Sequence, residues 1–220
     1  MSEYDDVERV YRTKAEAQSS YDRMSRWYEW LARSEKKYRE AGLRLLNPIP
    51  GETLLEIGPG TGQSLIAAAR MIGNNGRIVG IDLSLGMLRV AQKRLWRANL
   101  QDRCSLACGD GLTLPLGTNS VDGVFICFTL ELFDTPELPL VLAEIRRVLG
   151  DNGRLCVVSL SKEEAGTAVR LYEWFHNKIP RYIDCRPIYC HRLLAAYGFQ
   201  TRSVCQEKMW GLPVEIVLAV

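Results

Sequence analysis

The sequence has little net charge and no long apolar run. Lys and Arg (28) nearly balance Asp and Glu (26), so no broad basic field exists and we expect no nucleic-acid partner. No apolar stretch approaches the roughly 18 residues that a membrane-spanning helix needs, which leaves contact with a membrane surface open. The charged start, MSEYDDVERVYRTK, has no secretory leader, and we therefore expect a cytoplasmic protein.

The seven cysteines do not form a recognisable disulfide or metal pattern. Their number is odd and most lie in apolar, strand-like runs, which predicts reduced and buried thiols. Neither Cys104 with Cys108 nor Cys185 with Cys190 has the close spacing and second pair of a zinc site. We therefore predict no metal centre.

Five apolar runs alternate with amphipathic helical patterns along the middle of the chain. The runs are TLLEI, IVGID, CSLAC, VDGVFICF and LCVVSL. Because they are largely apolar on both faces, they predict a parallel sheet that helices cover on both sides, a doubly wound α/β fold. The last two runs, QTRSVCQE and VEIVLAV, predict an antiparallel pair at the sheet edge. No repeat or linker divides the 220 residues, so one domain is expected.

The helical patterns are identified by their apolar stripes and caps. Asp134 or Thr135 is a candidate cap, and Pro136 suits the first turn that follows. The expected helices run from about Ala17 to Leu46, through Leu65, Ala69 and Ile72, from about Gly86 to Arg97, through Leu138, Leu142, Ile145 and Leu149, and from about Tyr189 to Tyr197.

Three glycines follow the first predicted strand at alternate positions, Gly58, Gly60 and Gly62. Ligands of doubly wound sheets bind beyond the carboxyl ends of the strands, and glycine lets the backbone approach them closely. A dinucleotide fingerprint would place its third glycine at Gln63, and Glu56 would repel a pyrophosphate but attract a cation. The segment predicts a site for a positively charged ligand, with a nicotinamide-dependent oxidoreductase as the alternative.

The segment LLEIGPGTG resembles motif I of the class I S-adenosylmethionine-dependent methyltransferases. Two more acids match that family, since Asp82 ends IVGID and Asp110 lies in CGDG. The resemblance implies S-adenosyl-L-methionine as the cofactor, with Asp82 at the ribose hydroxyls and Asp110 at the adenine amine. It implies further cofactor contacts from Tyr21, Tyr28, Glu56, Gly58, Gly60, Gly62, Leu83, Met87, Gly111, Cys127 and Phe128.

Two other segments are similar to the ubiquinone and menaquinone C-methyltransferase group. YDRM resembles its Tyr-Asp-x-Met, and RVLGDNGRLCVVSLS resembles its Arg-Val-Leu-Lys-Pro-Gly-Gly-x-Leu signature. The resemblance implies a seven-stranded sheet with an antiparallel final strand, in a single methyltransferase domain over residues 1–220. Residues 1–47 would form a helical lid, and residues 161–198 an insertion on the acceptor side.

The acceptor is less well defined than the cofactor. Where the quinone group typically has Arg-Asn after the fourth strand, this chain has Glu131 and Leu132. The candidates are therefore a quinone precursor, a phenol or a lipid headgroup, all small or lipid-like. Aromatic residues at 172–189 and 27–30 suit an apolar acceptor or an ordinary core. Neither the methylated atom nor the oligomeric state is predicted.

Methyl transfer from a sulfonium requires alignment more than a nucleophilic side chain. A general base helps only if the acceptor loses a proton, and the candidates are Glu131, His176 and His191. Both histidines equally fit packed or exposed helix positions. Arg181 and Arg186 would meet an anionic group on the acceptor or simply lie in solvent. A cofactor-binding subunit without catalysis is the remaining alternative.

Overall fold

The computed structural model describes residues 9–10, 13–24, 34–163, 169, 172 and 185–220. These residues contain a seven-stranded sheet in the order β3-β2-β1-β4-β5-β7-β6. The strands are β1 (Thr53–Ile57), β2 (Arg77–Asp82), β3 (Cys104–Cys108), β4 (Val121–Cys127), β5 (Leu149–Leu160), β6 (Thr201–Met209) and β7 (Leu212–Ala219). The first five strands are parallel, and β7 lies antiparallel between β5 and β6, which confirms the predicted fold class.

Helices cover both faces of this sheet. They are α1 (Lys14–Met24), α2 (Lys36–Leu46), α3 (Gln63–Met71), α4 (Leu85–Arg97), α5 (Leu138–Val148) and α6 (Cys190–Ala196). One apolar cluster joins α2, α3 and α4 to the sheet, and a second cluster joins α5 and α6 to its other face. Leu65, Ala69 and Ile72 are fully buried, as their helical spacing predicts.

The N-terminal helix differs from the expected bounds of Ala17 to Leu46. It begins at Lys14 because Thr13 and Glu16 form a capping box, in which each side chain accepts a hydrogen bond from the other's backbone N–H. Glu35 is a turn residue that precedes α2, so the described part of the segment is not one continuous helix. The helix α2 ends at Asn47, whose left-handed φ of 50° closes it.

The expected helical position of Leu149 is wrong. Leu149 is extended (φ −67°, ψ 135°) and begins β5, because it pairs with Val121 at the start of β4. The segment DNGR therefore lies within β5 instead of preceding it. The predicted cap is confirmed, since Asp134 and Glu137 form a capping box around a short 3₁₀ turn (Thr135–Glu137) before α5.

All seven cysteines are free thiols. Burial is confirmed for Cys104, Cys156 and Cys190, Cys127 and Cys185 are partly buried, and Cys108 and Cys205 are exposed. Among the described residues, no helix combines the length and apolar character needed to cross a bilayer.

Candidate functional site

A cavity of about 500 Å³ lies beyond the carboxyl ends of the parallel strands. The strand β1 pairs with β2 on one side and β4 on the other, so the strand order reverses at this point. The segments after these strands and the helix α1 line the cavity. Its position and volume are those of a small-molecule site in a doubly wound sheet.

The glycine segment after β1 forms one wall of the cavity. Gly60 has φ +53°, and a β-carbon built on it would meet no described atom within 4 Å. Its backbone is therefore open to a ligand that a side chain would displace. Gly62 (φ +80°) serves packing instead, because a β-carbon there would lie 2.8 Å from Ala91 of α4.

Glu56 is a buried carboxyl group on the cavity wall. Ser64 donates a hydrogen bond to its Oε1, whereas Oε2 has no hydrogen-bond partner among the described residues. Burial raises the pKa of Glu56 to about 7, against the opposing effects of the Ser64 hydrogen bond and the Arg39 charge. A cationic ligand would satisfy this oxygen and favour its ionised form, so the site fits the ammonium group of S-adenosylmethionine.

Arg39 is a cavity residue that the sequence did not single out. It lies on α2, is largely buried, and donates from Nη2 to Gln63 Oε1 at 2.6 Å. The cavity thus carries a guanidinium next to the Glu56 carboxyl group, a pair suited to the carboxylate and ammonium of an amino acid. Its position on a helix with a clear apolar stripe gave no local signal of this role.

Asp82 lies at the end of β2 and lines the cavity beside the glycine segment. Its Oδ2 accepts from the Gly60 N–H (2.9 Å) and its Oδ1 from the Ser84 N–H (2.8 Å). Burial raises its pKa, and these two bonds oppose the rise. Each carboxylate oxygen keeps a second lone pair, so two hydroxyl donors can still be accepted.

The opposite end of the cavity is formed by the turn after β3 and the segment after β4. Gly109 and Gly111 line it, and the Phe133 ring packs against Gly111. Asp110 between them accepts from the Leu112 N–H and from Lys14 Nζ (2.5 Å). Lys14 also pairs with Glu137 at 2.8 Å. Burial lowers the pKa of Lys14, but its hydrogen bonds to the Asp110 and Glu137 carboxylates outweigh that effect and raise the pKa overall.

Polar contacts near Arg9 and at Asp22 attach the N-terminal segment to opposite sides of the cavity. Arg9 forms a two-pronged ion pair with Asp134, and the Val10 N–H donates to the same carboxylate. At the other end, Asp22 accepts from Ser84 Oγ (2.6 Å) and from the Gly86 N–H (2.7 Å) at the start of α4. The aspartate of YDRM thus joins α1 to α4.

Ten of the predicted cofactor residues line this one cavity. They are Tyr21, Glu56, Gly58, Gly60, Asp82, Leu83, Met87, Gly111, Cys127 and Phe128. Asp110 adjoins the cavity between two lining glycines, and Gly62 immediately precedes α3 and is outside the described wall. Tyr28, like the candidate base His176, lies outside the described residues. The wall also contains Lys14, Thr129 and Glu137, which the sequence did not suggest.

The structure does not bring Glu131 or His191 to the described cavity wall. Glu131 is fully buried and accepts from the Leu160 N–H at 3.2 Å, and burial raises its pKa to about 8. His191 is the second residue of α6, and its Nδ1 lies 2.7 Å from Glu215 Oε1. Both side chains therefore have structural partners, and their role as a base stays a sequence prediction.

Arg186 is buried, and this contradicts the alternative of a solvated surface arginine. Its guanidinium donates to the Glu131 and Phe133 carbonyls and to Thr135 Oγ1. Tyr172 also serves structure, because its hydroxyl donates to the Cys185 carbonyl at 2.8 Å. Arg181 and the aromatic residues at 27–30 and 174–182 lie outside the described residues.

Comparison with known proteins identifies the domain. A family model described as a methyltransferase domain matches residues 54–153. The demethylmenaquinone methyltransferase of Porphyromonas gingivalis is 31% identical over 64% of this chain and 56% of its own length. That of Symbiobacterium thermophilum is 30% identical over 68% and 64%. The chain thus spans less than two thirds of these two relatives.

The fold agrees with this comparison. The crystal structure of a SAM-dependent methyltransferase from Aquifex aeolicus superimposes with a TM-score of 0.63 at 22% identity. The match covers 83% of this chain and 89% of that one. Residues 54–153 thus match a methyltransferase domain, and the described fold, with three acids at successive strand ends, is that of the class I S-adenosylmethionine-dependent methyltransferases.

Proposed function

We propose that this protein transfers the methyl group of S-adenosylmethionine to a small, apolar, quinone-related acceptor. The observation that carries the proposal is the cavity wall, where the free Oε2 of Glu56, the Asp82 carboxylate and the Asp110 turn follow one another. A sulfonium, an ammonium and two ribose hydroxyls match such a row of acceptors. The pyrophosphate of a nicotinamide cofactor would instead face Glu56 and gain no compensating cation from the glycine segment.

The cavity wall suggests how the cofactor would be oriented. Glu56 and Arg39 would hold the amino-acid end, Asp82 the ribose, and Asp110 the adenine amine. Bound S-adenosylmethionine supplies an electrophilic methyl group whose leaving sulfur becomes a neutral thioether. The protein aligns the acceptor with that methyl group and keeps water out of the cavity. The helix α1, which polar contacts hold beside the cavity, is suited to excluding water.

The quinone-related acceptor is inferred from two sources. The curated relatives are demethylmenaquinone methyltransferases, and Phe128, Leu132 and Phe133 give the cavity an apolar lining. Leu132 stands where the quinone group typically has asparagine, so the ring contacts of this chain would be more apolar. This difference favours an acceptor with a larger hydrocarbon part.

Calorimetry and a transfer assay test the proposal in sequence. Micromolar binding of S-adenosylhomocysteine with no response to NAD is the expected first result. Labelled S-adenosylmethionine would then be incubated with a reduced prenyl-naphthoquinone, a simple phenol and phospholipid vesicles, and we expect label in the naphthoquinone. Binding of S-adenosylhomocysteine without transfer to any acceptor would favour a non-catalytic subunit, and binding of NAD alone would favour an oxidoreductase.

A further inference from the structure

Arg186 lies outside the described cavity wall, yet three of its hydrogen bonds reach the segment that forms part of that wall. Nε donates to the Glu131 carbonyl (3.2 Å), Nη1 to Thr135 Oγ1 (2.8 Å) and Nη2 to the Phe133 carbonyl (2.5 Å). These acceptors span the turn between β4 and α5. A planar guanidinium with several fixed donors holds such a turn in a way that a lysine ammonium cannot.

The backbone around Arg186 is itself fixed to the sheet. The Ile188 N–H donates to the Leu160 carbonyl, and the Lys162 N–H donates to the Ile188 carbonyl, each at 3.0 Å. The Leu160 N–H donates to Glu131 Oε1 at 3.2 Å, and the Glu131 carbonyl accepts from Arg186. Glu131 is therefore hydrogen-bonded both to β5 and to Arg186. The backbone next to Arg186 is therefore hydrogen-bonded to the end of β5.

Phe133 connects the hydrogen bonds of Arg186 to the cavity wall. Its carbonyl receives Nη2 of Arg186, and its ring packs so closely on Gly111 that a β-carbon there would lie 2.8 Å from Cζ. Gly111 adjoins Asp110, the residue that the family resemblance assigns to the adenine amine. The position of the Asp110 turn thus depends on Phe133, and Phe133 depends on Arg186.

We propose that Arg186 is a positioning residue that sets the adenine selectivity of the cofactor site by holding Phe133 against the Asp110–Gly111 turn. This inference rests on the proposed orientation of the cofactor and is independent of the acceptor. It assigns a role in cofactor recognition to a buried arginine that lies within the range 161–198 and does not contact the cofactor.

The test compares S-adenosylhomocysteine with S-inosylhomocysteine, in which a carbonyl replaces the adenine amino group. The ratio of their dissociation constants reports adenine recognition, whereas general destabilisation would weaken both ligands alike. Wild-type protein should prefer S-adenosylhomocysteine. Arg186→Lys should reduce that preference about tenfold, because the turn loses its charged hydrogen bonds in fixed geometry.

Two further variants keep the test decisive. Thr135→Val removes one acceptor of Arg186 with little change in shape, and it should reduce the preference in the same direction by a smaller factor, even if Arg186→Lys does not fold. Arg154→Lys is the matched control, because Arg154 also donates to three backbone carbonyls away from the cavity, those of Leu46, Asn47 and Asp122, besides its ion pair with Glu52. It should leave the preference unchanged.

The outcomes separate this inference from the proposed function. Wild-type protein that binds neither ligand would overturn both. Wild-type protein that prefers S-adenosylhomocysteine, together with an unchanged preference in folded Arg186→Lys and in Thr135→Val, would overturn the role of Arg186 alone. An equal loss of preference in Arg154→Lys would also overturn it, because the effect would then be a general one.

Discussion

Single carboxyl groups decide what the cavity attracts. Glu56 lies near the end of β1, Asp82 ends β2 and Asp110 follows β3, and these strand ends meet at one edge of the sheet because the strands are parallel. Their environments nevertheless differ. Glu56 keeps one buried oxygen without a described partner, Asp82 accepts two backbone N–H groups, and Asp110 accepts Lys14.

Removal of the Asp82 carboxylate should weaken cofactor binding. Asp82→Ala loses the acceptors proposed for the ribose hydroxyls, and we expect S-adenosylhomocysteine to bind about 1.5–3 kcal/mol less tightly, the range for hydrogen bonds to charged groups. Calorimetry measures this, and circular dichroism checks the fold. Asp122→Ala is a suitable control, because Asp122 accepts the Thr53 N–H at the opposite end of β1. Unchanged affinity in Asp82→Ala would place Asp82 outside the site.

Glu56 should make cofactor binding depend on pH. Burial raises its pKa to about 7, so the carboxyl group is largely protonated below that value and must ionise to pair with an ammonium. We expect the affinity for S-adenosylhomocysteine to fall as pH decreases from about 8 to about 6, by at most about tenfold per pH unit. Glu56→Gln should bind weakly and without this dependence. A wild-type affinity that is constant over the range would contradict the proposed pairing.

These acids were predictable because each one lies at or just beyond the end of a predicted strand, and the family resemblance implied the roles of Asp82 and Asp110. Arg39 could not be predicted in the same way, since its role depends on how α2 packs beside α3 and brings it to Gln63. The Asp134 cap was predictable from local sequence, but its ion pair with Arg9 joins residues 125 positions apart. Local sequence patterns therefore predicted the acids and the helix cap, whereas the positions of Arg39 and Arg9 depend on tertiary packing.

Polar contacts attach the helix α1 to the elements that surround the cavity. Its described interactions with the rest of the chain include the pairs of Lys14 with Asp110 and Glu137 and the bonds of Asp22 to the start of α4. Ion pairs of partly exposed groups contribute little to stability and are screened by salt. The lid that the family resemblance implies stays a prediction, and these contacts are the ones that would have to break for it to open.

Cofactor binding should order this helix further. We expect backbone hydrogen exchange in residues 18–24 to slow when S-adenosylhomocysteine is added, because lids are drawn from the less stable parts of a fold. Tyr21→Phe should lower the affinity by removing a hydroxyl contact to the ligand. Protection that is equal with and without ligand, combined with wild-type affinity for Tyr21→Phe, would identify these residues as permanent core and remove Tyr21 from the site.

Strand and helix order were predictable throughout the described sheet, yet two boundaries were not. The capping box at Thr13 and Glu16 was a local signal that the apolar pattern obscured, since the stripe begins farther along. Leu149 fits both the apolar stripe of α5 and the start of β5, and only its pairing with Val121 decides between them. Boundaries depend on such pairings, whereas the type of element depends on periodicity.

The chain as a unit carries buried carboxyl groups whose pKa values are raised by burial, to about 7 for Glu56 and about 8 for Glu131. In the unfolded chain these groups titrate near 4.5. Their contribution to stability is therefore complete below pH 4.5 and is lost as pH rises through the folded-state values. Without ligand, the burial of these groups therefore lowers the free energy of unfolding in alkaline solution.

Urea unfolding of the ligand-free protein at a series of pH values should show this loss of stability. We expect the free energy of unfolding to decrease between about pH 5.5 and about pH 8.5, with each group changing the folding equilibrium at most about tenfold per pH unit. Glu131→Gln should reduce the slope, because the amide can keep the hydrogen bond from the Leu160 N–H without ionising. S-adenosylhomocysteine should also reduce it by pairing with Glu56. A slope that Glu131→Gln leaves unchanged would show that this carboxyl group is not the one that titrates.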